Sequence, residues 1–322
     1  MPVAAGRVPA AGPLAHPARA PRAPAARRAA PRRGAPPPRA AAAAAEALPL
    51  ALAAAGVAAA ALAAADPARR RAAQTAEAGG DELAAVRGYF NAEGFERWRK
   101  IYGEGDDVNR VQRDIRDGHA QTVEKVLAWI DADAGGVAGL TVADCGCGTG
   151  ALAVPLALRG AAVAASDISA AMAAEAARRY EAAAAAAPAE RRPATPPRFE
   201  ATDLESARGK FHTVACLDVM IHYPQGKADA MVAHLASLAE ERLILSFAPY
   251  TPALALLKRV GELFPGPSKA TRAYLHAEAD VEAALGRAGF EVARREMTST
   301  SFYFSRLLEA RRVRGAATGG EA

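Results

Sequence analysis

The chain has 322 residues, with 40 Lys+Arg against 35 Asp+Glu, and its charge is unevenly placed: residues 1–76 hold eleven arginines, no lysine and two acids, Glu46 and Asp66. That leaves 29 bases and 33 acids for the rest, and an acidic body without a basic helix or an aromatic-basic ladder excludes a nucleic-acid binder. Three cysteines, Cys145, Cys147 and Cys216, are odd in number, fall in or beside expected strands and lack the paired spacing of a zinc site, which implies a reducing compartment.

Residues 1–76 are rich in Ala, Pro and Arg, poor in acids and without a sustained hydrophobic period, so they cannot bury enough apolar surface to fold. This is the composition of an organelle transit peptide, although its lack of serine departs from that pattern and an ordinary disordered tail stays open. Leu48–Ala65 is uncharged and eighteen residues long, yet alanine, Pro49 and Gly56 weaken it as a membrane span. It is read as part of a removed leader, with a retained membrane-contact segment as the alternative.

Residues 77–135 read as a helical arm. Leu83, Val86, Tyr89 and Phe90 share one side of a short helix over 81–90, and Phe95, Trp98, Ile101 and Tyr102 recur at helical spacing up to Gly103. A third helix is expected over 107–130, capped by Asp106 or Asp107. Inside it, Gly118 costs about 1 kcal/mol relative to alanine, and His119 falls on the apolar face. Close approach of a ligand and a tight contact between helices explain this pair equally well.

From 136 to 311 short β runs alternate with helical stretches, the pattern of an α/β fold with a parallel sheet covered on both faces. Strands are expected at 140–145, 162–166, 199–202, 212–217 and 242–247, with helices at 151–158, 170–180, 228–238 and 279–288 between and after them. Two final β runs lie at 290–297 and 299–304, the stretch Ala182–Pro197 reads as an expanded surface loop, and 312–322 as a disordered tail.

The turn Asp144-Cys145-Gly146-Cys147-Gly148-Thr149-Gly150 links the first strand to its helix. Gly146, Gly148 and Gly150 permit positive φ and backbone contact with a ligand, and the following helix aims free N–H groups the same way. Gly146, Gly148 and Ala151 also fit the pattern of dinucleotide binders, which keeps an NAD-dependent oxidoreductase open. Asp144, two residues before Gly146, is an unwelcome neighbour for a pyrophosphate and a good one for the cationic S-adenosylmethionine.

Ligands of such sheets bind beyond the carboxyl ends of the strands, where this sequence places Asp144, Asp167, Asp203 and Asp218. Asp167, beside Ile168, is positioned to accept from both ribose hydroxyls, or else to cap the helix from Ala170. Asp203 can accept from an adenine amine while Leu204 packs on the ring, unless it is a solvated turn residue.

Three groups of motifs go further. They are Tyr89-Phe90-Asn91 with Gly94-Phe95-Glu96-Arg97-Trp98 and Ile101-Tyr102-Gly103; Asn109-Arg110-Val111-Gln112 with Arg116, Gly118 and His119; and Asp218-Val219-Met220-Ile221-His222-Tyr223-Pro224. Together with Leu263-Phe264-Pro265-Gly266-Pro267-Ser268-Lys269 and Ser301-Phe302-Tyr303-Phe304, they resemble the magnesium protoporphyrin IX methyltransferases of chlorophyll biosynthesis over residues 82–311. The resemblance implies a doubly wound, Rossmann-like class I methyltransferase sheet, mostly parallel with a terminal antiparallel strand.

It also implies S-adenosylmethionine as methyl donor, Mg-protoporphyrin IX as substrate, and Tyr102 and His222 as the catalytic pair. By the same resemblance the protein is expected on the stromal side of chloroplast membranes, in contact with them and with neighbouring pathway enzymes. A non-catalytic porphyrin carrier on the same fold is the rival reading. By periodicity alone Tyr102 fits a core position beside Phe95 and Trp98 better than a catalytic one. Lys269 and Arg272 are candidate partners for the second propionate, and Leu83–Tyr102 for a flap that closes over ligands.

The chemistry asks little of a base, since a propionate with a pKa near 4.3 is already an anion at neutral pH. It needs placement and loss of water, to which His222 and Tyr102 contribute as directional hydrogen-bond donors.

Overall fold

The computed structural model describes residues 82–103, 105–188, 193, 195–262 and 273–314. The leader, Leu48–Ala65, the segment 263–272 with Lys269 and Arg272, and the last eight residues lie outside them.

In chain order the elements are helices α1 (Glu82–Asn91), α2 (Glu93–Ile101) and α3 (Arg110–Asp131), strand β1 (Thr141–Cys145), α4 (Ala153–Leu158), β2 (Ala162–Asp167), α5 (Ala170–Ala186) and β3 (Arg198–Ala201). They continue with β4 (Phe211–Cys216), α6 (Gln225–Leu238), β5 (Ala239–Phe247), α7 (Pro252–Glu262), α8 (Glu278–Arg287), β6 (Phe290–Ser299) and β7 (Phe304–Arg312). Short 3-10 turns lie at Leu204–Ser206 and Met220–His222.

The strands form one sheet in the order β3-β2-β1-β4-β5-β7-β6. β1 to β5 pair in parallel, and β7 runs antiparallel between β5 and β6. The order reverses beside β1, opening a crevice at the carboxyl ends of β1 and β4.

Side chains alternate between two cores, as a sheet covered on both faces requires. Leu243, Leu245 and Phe247 of β5 join Leu235 of α6 and Leu285 of α8 on one face. Ile244, between them in sequence, joins Val126 and Ile130 of α3, Leu156 of α4 and Leu307 of β7 on the other. Near the end of α3, Asp133 pairs with Arg242, Arg294 and Arg311, and the same arginines meet the fully buried Glu309. This ties the arm's long helix to β5, β6 and β7.

Several expectations are corrected. α3 is capped by Asn109 rather than Asp106 or Asp107: its side chain accepts from Gln112 N–H while Gln112 reaches back to Asn109 N–H, a reciprocal box that starts the helix three residues later. The stretch from Ala182 is helix as far as Ala186, because an alanine run extends α5 until Pro188 approaches. Residues 299–304 are largely a turn, and the last strand follows at Phe304–Arg312. α7 is a helix for which the sequence reading gave no element, and no helix among the described residues is long and apolar enough to cross a membrane.

Candidate active site

The three glycines of the β1–α4 turn all have positive φ, 82° at Gly146, 52° at Gly148 and 85° at Gly150, but for different reasons. A Cβ at Gly146 would overlap the Val219 side chain, and one at Gly150 would lie 3.1 Å from Ala176 and Val154, so both are constrained by protein packing. A Cβ at Gly148 would meet nothing within 4 Å. Only there does the open side of the turn face free space. The turn is held by Ser166, whose carbonyl accepts from Gly146 N–H at 2.7 Å and Cys147 N–H at 2.9 Å.

Asp167 ends β2 and braces the same turn, its carboxylate accepting from Gly148 N–H at 3.0 Å and Ser169 N–H at 2.9 Å. The cap of α5 is Ser169, not Asp167. Burial pushes the Asp167 carboxyl up, and the two backbone N–H groups oppose that. Ile168 is half-buried beside it.

Asp144 is 2% exposed, and one of its oxygens, Oδ2, is buried with no hydrogen-bond partner. Burial raises its pKa to about 7, against the opposing pull of His119 and the Ala153 N–H at the start of α4. A buried carboxylate oxygen left open next to a glycine turn fits a cationic group. Asp203 accepts from Ser206 N–H at 2.9 Å and lies 3.7 Å from Arg87, while Leu204 is buried in the core with Val214 and Leu243.

Asp218, two residues past β4, is the one non-glycine among the described residues with positive φ, 58°. Its carboxylate collects four donors: His119 Nδ1 and Tyr303 OH at 2.7 Å each on Oδ2, Ser246 Oγ at 2.7 Å and Ser305 Oγ at 3.1 Å on Oδ1. Burial alone would raise its pKa, but these hydrogen bonds with the His119 ring hold it below the ordinary carboxylate range. An ionised Asp218 must accept, so His119 carries its proton on Nδ1. A left-handed residue held by four partners is strain fixed by its surroundings, and it aims the turn that carries His222.

His222 lies on that turn with its ring edge-on to Phe90 of α1 at 5.5 Å. Its Nδ1 is buried without a partner, and burial lowers its pKa to about 4 despite Asp218, so the ring is neutral near pH 7. Tyr102 stacks between Trp98 at 5.3 Å and His119 at 4.7 Å, and burial raises its pKa, keeping the phenol protonated. Arg116 donates to the carbonyls of Lys100, Ile101 and Gly105, and Arg179 donates to the Tyr102 carbonyl at 2.9 Å, so α3 and α5 both fix this corner. The other end of the arm is held by Ser169 Oγ, 2.9 Å from both Phe90 O and Asn91 Oδ1.

The Gly118-His119 pair is explained by contact within the protein. A Cβ on Gly118 would sit 2.6 Å from Cγ and 2.9 Å from Cβ of Tyr303, so the tyrosine ring lies directly on the helix backbone. Ser246, Ser305 and Thr122 were not singled out by sequence reasoning, and Tyr303 entered it only within the Ser301–Phe304 motif, with no role assigned. The local sign of this packing was the misplaced glycine of α3, whose cause is Tyr303, 185 positions away by their numbers.

Cys145, Cys147 and Cys216 are free and buried, and burial raises each thiol, that of Cys145 to about 12.

The chain is similar to known proteins. Residues 216–312 match the family model described as magnesium-protoporphyrin IX methyltransferase C-terminus, and residues 142–241 match a methyltransferase domain. The magnesium protoporphyrin IX methyltransferase of Arabidopsis thaliana, described as chloroplastic, is 61% identical over 237 residues, covering 74% of this chain and 73% of its own. The magnesium-protoporphyrin O-methyltransferase of Synechocystis is 55% identical over 230 residues, covering 71% and 96%. A crystal structure of the Synechocystis enzyme with bound S-adenosylhomocysteine superposes with a TM-score of 0.64 at 54% identity, over 71% of this chain and 98% of that one. At this identity over this length, and with the expected sheet, the chain belongs to the magnesium protoporphyrin IX methyltransferase family.

Proposed function

We propose that this chain transfers a methyl group from S-adenosylmethionine to one propionate carboxylate of Mg-protoporphyrin IX, giving the monomethyl ester. It is a carboxyl O-methyltransferase of chlorophyll biosynthesis, as its relatives are. The observation that carries the roles is His222, kept neutral by burial and with Nδ1 unpartnered beside the strand ends.

S-adenosylmethionine supplies an electrophilic methyl group on a sulfonium. The substrate carboxylate is an anion before it arrives, so no residue has to remove a proton. His222 and Tyr102 each donate one hydrogen bond and orient the carboxylate. Being uncharged, they leave more of its nucleophilicity intact than an imidazolium or a guanidinium in the same place. Phe90 and Trp98 of the arm exclude water, which strengthens these contacts.

Asp144 meets the cationic end of the methyl donor, whose arrival draws its carboxyl back to the ionised state. Asp167 spends two acceptor positions on Gly148 and Ser169 and keeps others for ribose hydroxyls. Ile168, Asp203 and Leu204 complete an adenine pocket, and Gly146, Gly148 and Gly150 form the floor.

Residues 1–76 act as a chloroplast transit leader, 77–135 as the arm and 136–311 as the methyl-donor domain, whose last strand Arg312 closes, with the residues after it as a tail. We place the mature protein against the stromal side of chloroplast membranes, near its pathway neighbours. Tyr250, Leu256 and Leu257, each more than half exposed at and before α7, support a surface contact rather than a span.

The test is methylation with labelled S-adenosylmethionine and a panel of porphyrins. A labelled monomethyl ester of Mg-protoporphyrin IX is the expected product. Folded protein that binds the porphyrin but transfers no methyl group would favour the carrier reading instead.

A further inference from the structure

Arginines around the candidate site have evident partners. Arg99 pairs with Glu96, Arg87 approaches Asp203, Arg116 donates to three carbonyls, and Arg179 holds Glu175 and the Tyr102 carbonyl. Arg97 of α2 differs. Its Nε and Nη1 are buried and have no hydrogen-bond partner, and the Nε1 of Trp98 next to it is buried and unpartnered as well.

The Arg97 guanidinium lies 5.7 Å from the centre of the Trp98 ring, which stacks on Tyr102. A ring contact engages the face of a guanidinium and leaves its in-plane N–H edges unused. Burying such donors without an acceptor costs free energy, and a donor-only fork is satisfied by an oxygen anion, best by a carboxylate.

We infer that Arg97, with the Trp98 N–H beside it, is a clamp for a ligand carboxylate at the arm side of the active site. The inference rests on the proposed reaction for its two sources of that group. One is the amino-acid end of S-adenosylmethionine, and the other is the propionate of the porphyrin that is not esterified. Both expose a carboxylate that Tyr102 and His222 do not need for the chemistry.

The experiment uses Arg97→Gln and Arg97→Lys in the full chain, with thermal unfolding to establish that each is folded like the wild type. Calorimetry compares S-adenosylhomocysteine with its decarboxylated analogue. Fluorescence titration compares Mg-protoporphyrin IX monomethyl ester with the dimethyl ester, which lacks the remaining carboxylate.

In one of these pairs Arg97→Gln is expected to weaken the acid-bearing member roughly tenfold to hundredfold. Its carboxyl-free counterpart should be unaffected, and Arg97→Lys should recover part of the loss. The responding pair identifies the source. Equal affinities of wild type and Arg97→Gln for all four ligands, or equal losses for both members of each pair, overturn the clamp while the methyltransferase reading stands. A wild-type protein that binds neither S-adenosylhomocysteine nor either ester overturns both.

Discussion

Replacing Gly118 by alanine sets two effects of opposite sign against each other. On propensity alone, a mid-helix Gly→Ala change should stabilise α3 by about 1 kcal/mol. The added methyl group, however, meets Tyr303 at 2.6 Å from Cγ and 2.9 Å from Cβ, close to the backbone of that residue, where a side-chain rotation relieves little. Overpacking of this kind costs about 1–3 kcal/mol. Displacing the ring also breaks the 2.7 Å bond from Tyr303 OH to the Asp218 carboxylate, worth about 1.5–3 kcal/mol as a hydrogen bond to a charged group.

The losses outweigh the propensity gain, and a net destabilisation of about 1.5–5 kcal/mol is expected. Urea unfolding should show a lower midpoint at an unchanged slope. In a double-mutant cycle Gly118→Ala and Tyr303→Ala should be strongly less than additive, since removing the ring removes the clash. A Gly118→Ala protein as stable as the wild type, or more so, would show that the ring is not seated on the helix, and the account of Asp218 would lose one of its supports.

The other predictions concern ligands and pH. Asp167→Ala should weaken binding of S-adenosylhomocysteine by about 1–3 kcal/mol in calorimetry, by losing acceptors for the ribose and the brace on Gly148. His222→Ala should lower single-turnover methylation by roughly 10²–10³ with cofactor affinity nearly unchanged, while His222→Gln or His222→Asn retains more activity; equal loss in all three would exclude positioning by hydrogen bond. Asp144 has a folded-state pKa of about 7 against an ordinary value of 3.8, so stability present below 3.8 is lost as pH rises through 7. Asp144→Asn should therefore unfold at higher urea than the ligand-free wild type above pH 7, lose that advantage at pH 3.5, and bind S-adenosylmethionine less tightly. Removal of residues 1–76 should leave methylation intact, as a segment unable to contribute a packed core predicts.

Much of this protein is set by local patterns. Alternating apolar residues place Val142 and Ala143, or Ile244 and Leu245, on opposite faces of a strand, and their alternation with helical stretches dictates a parallel sheet. The glycine turn follows from positive φ at three alternate positions, and the acids at the ends of β1 to β4 follow from where those strands stop. The motifs spread over residues 82–311 carry the family resemblance, because each is a local run of residues readable along the chain.

Tertiary structure decides what depends on distant partners. Spacing leaves Gly118 ambiguous, and it is the ring of Tyr303, brought over by the β6–β7 hairpin, that makes a side chain intolerable there. Nothing near Asp218 in the chain reveals that it adopts φ 58° under donors from α3, β5, the β6–β7 turn and β7. Nor does sequence separate Asp144, whose Oδ2 is left open, from Asp203, which caps its own 3-10 turn. Charge state and strain come from how many donors and how much apolar surface converge on a group in space, and spacing along the chain does not encode that number.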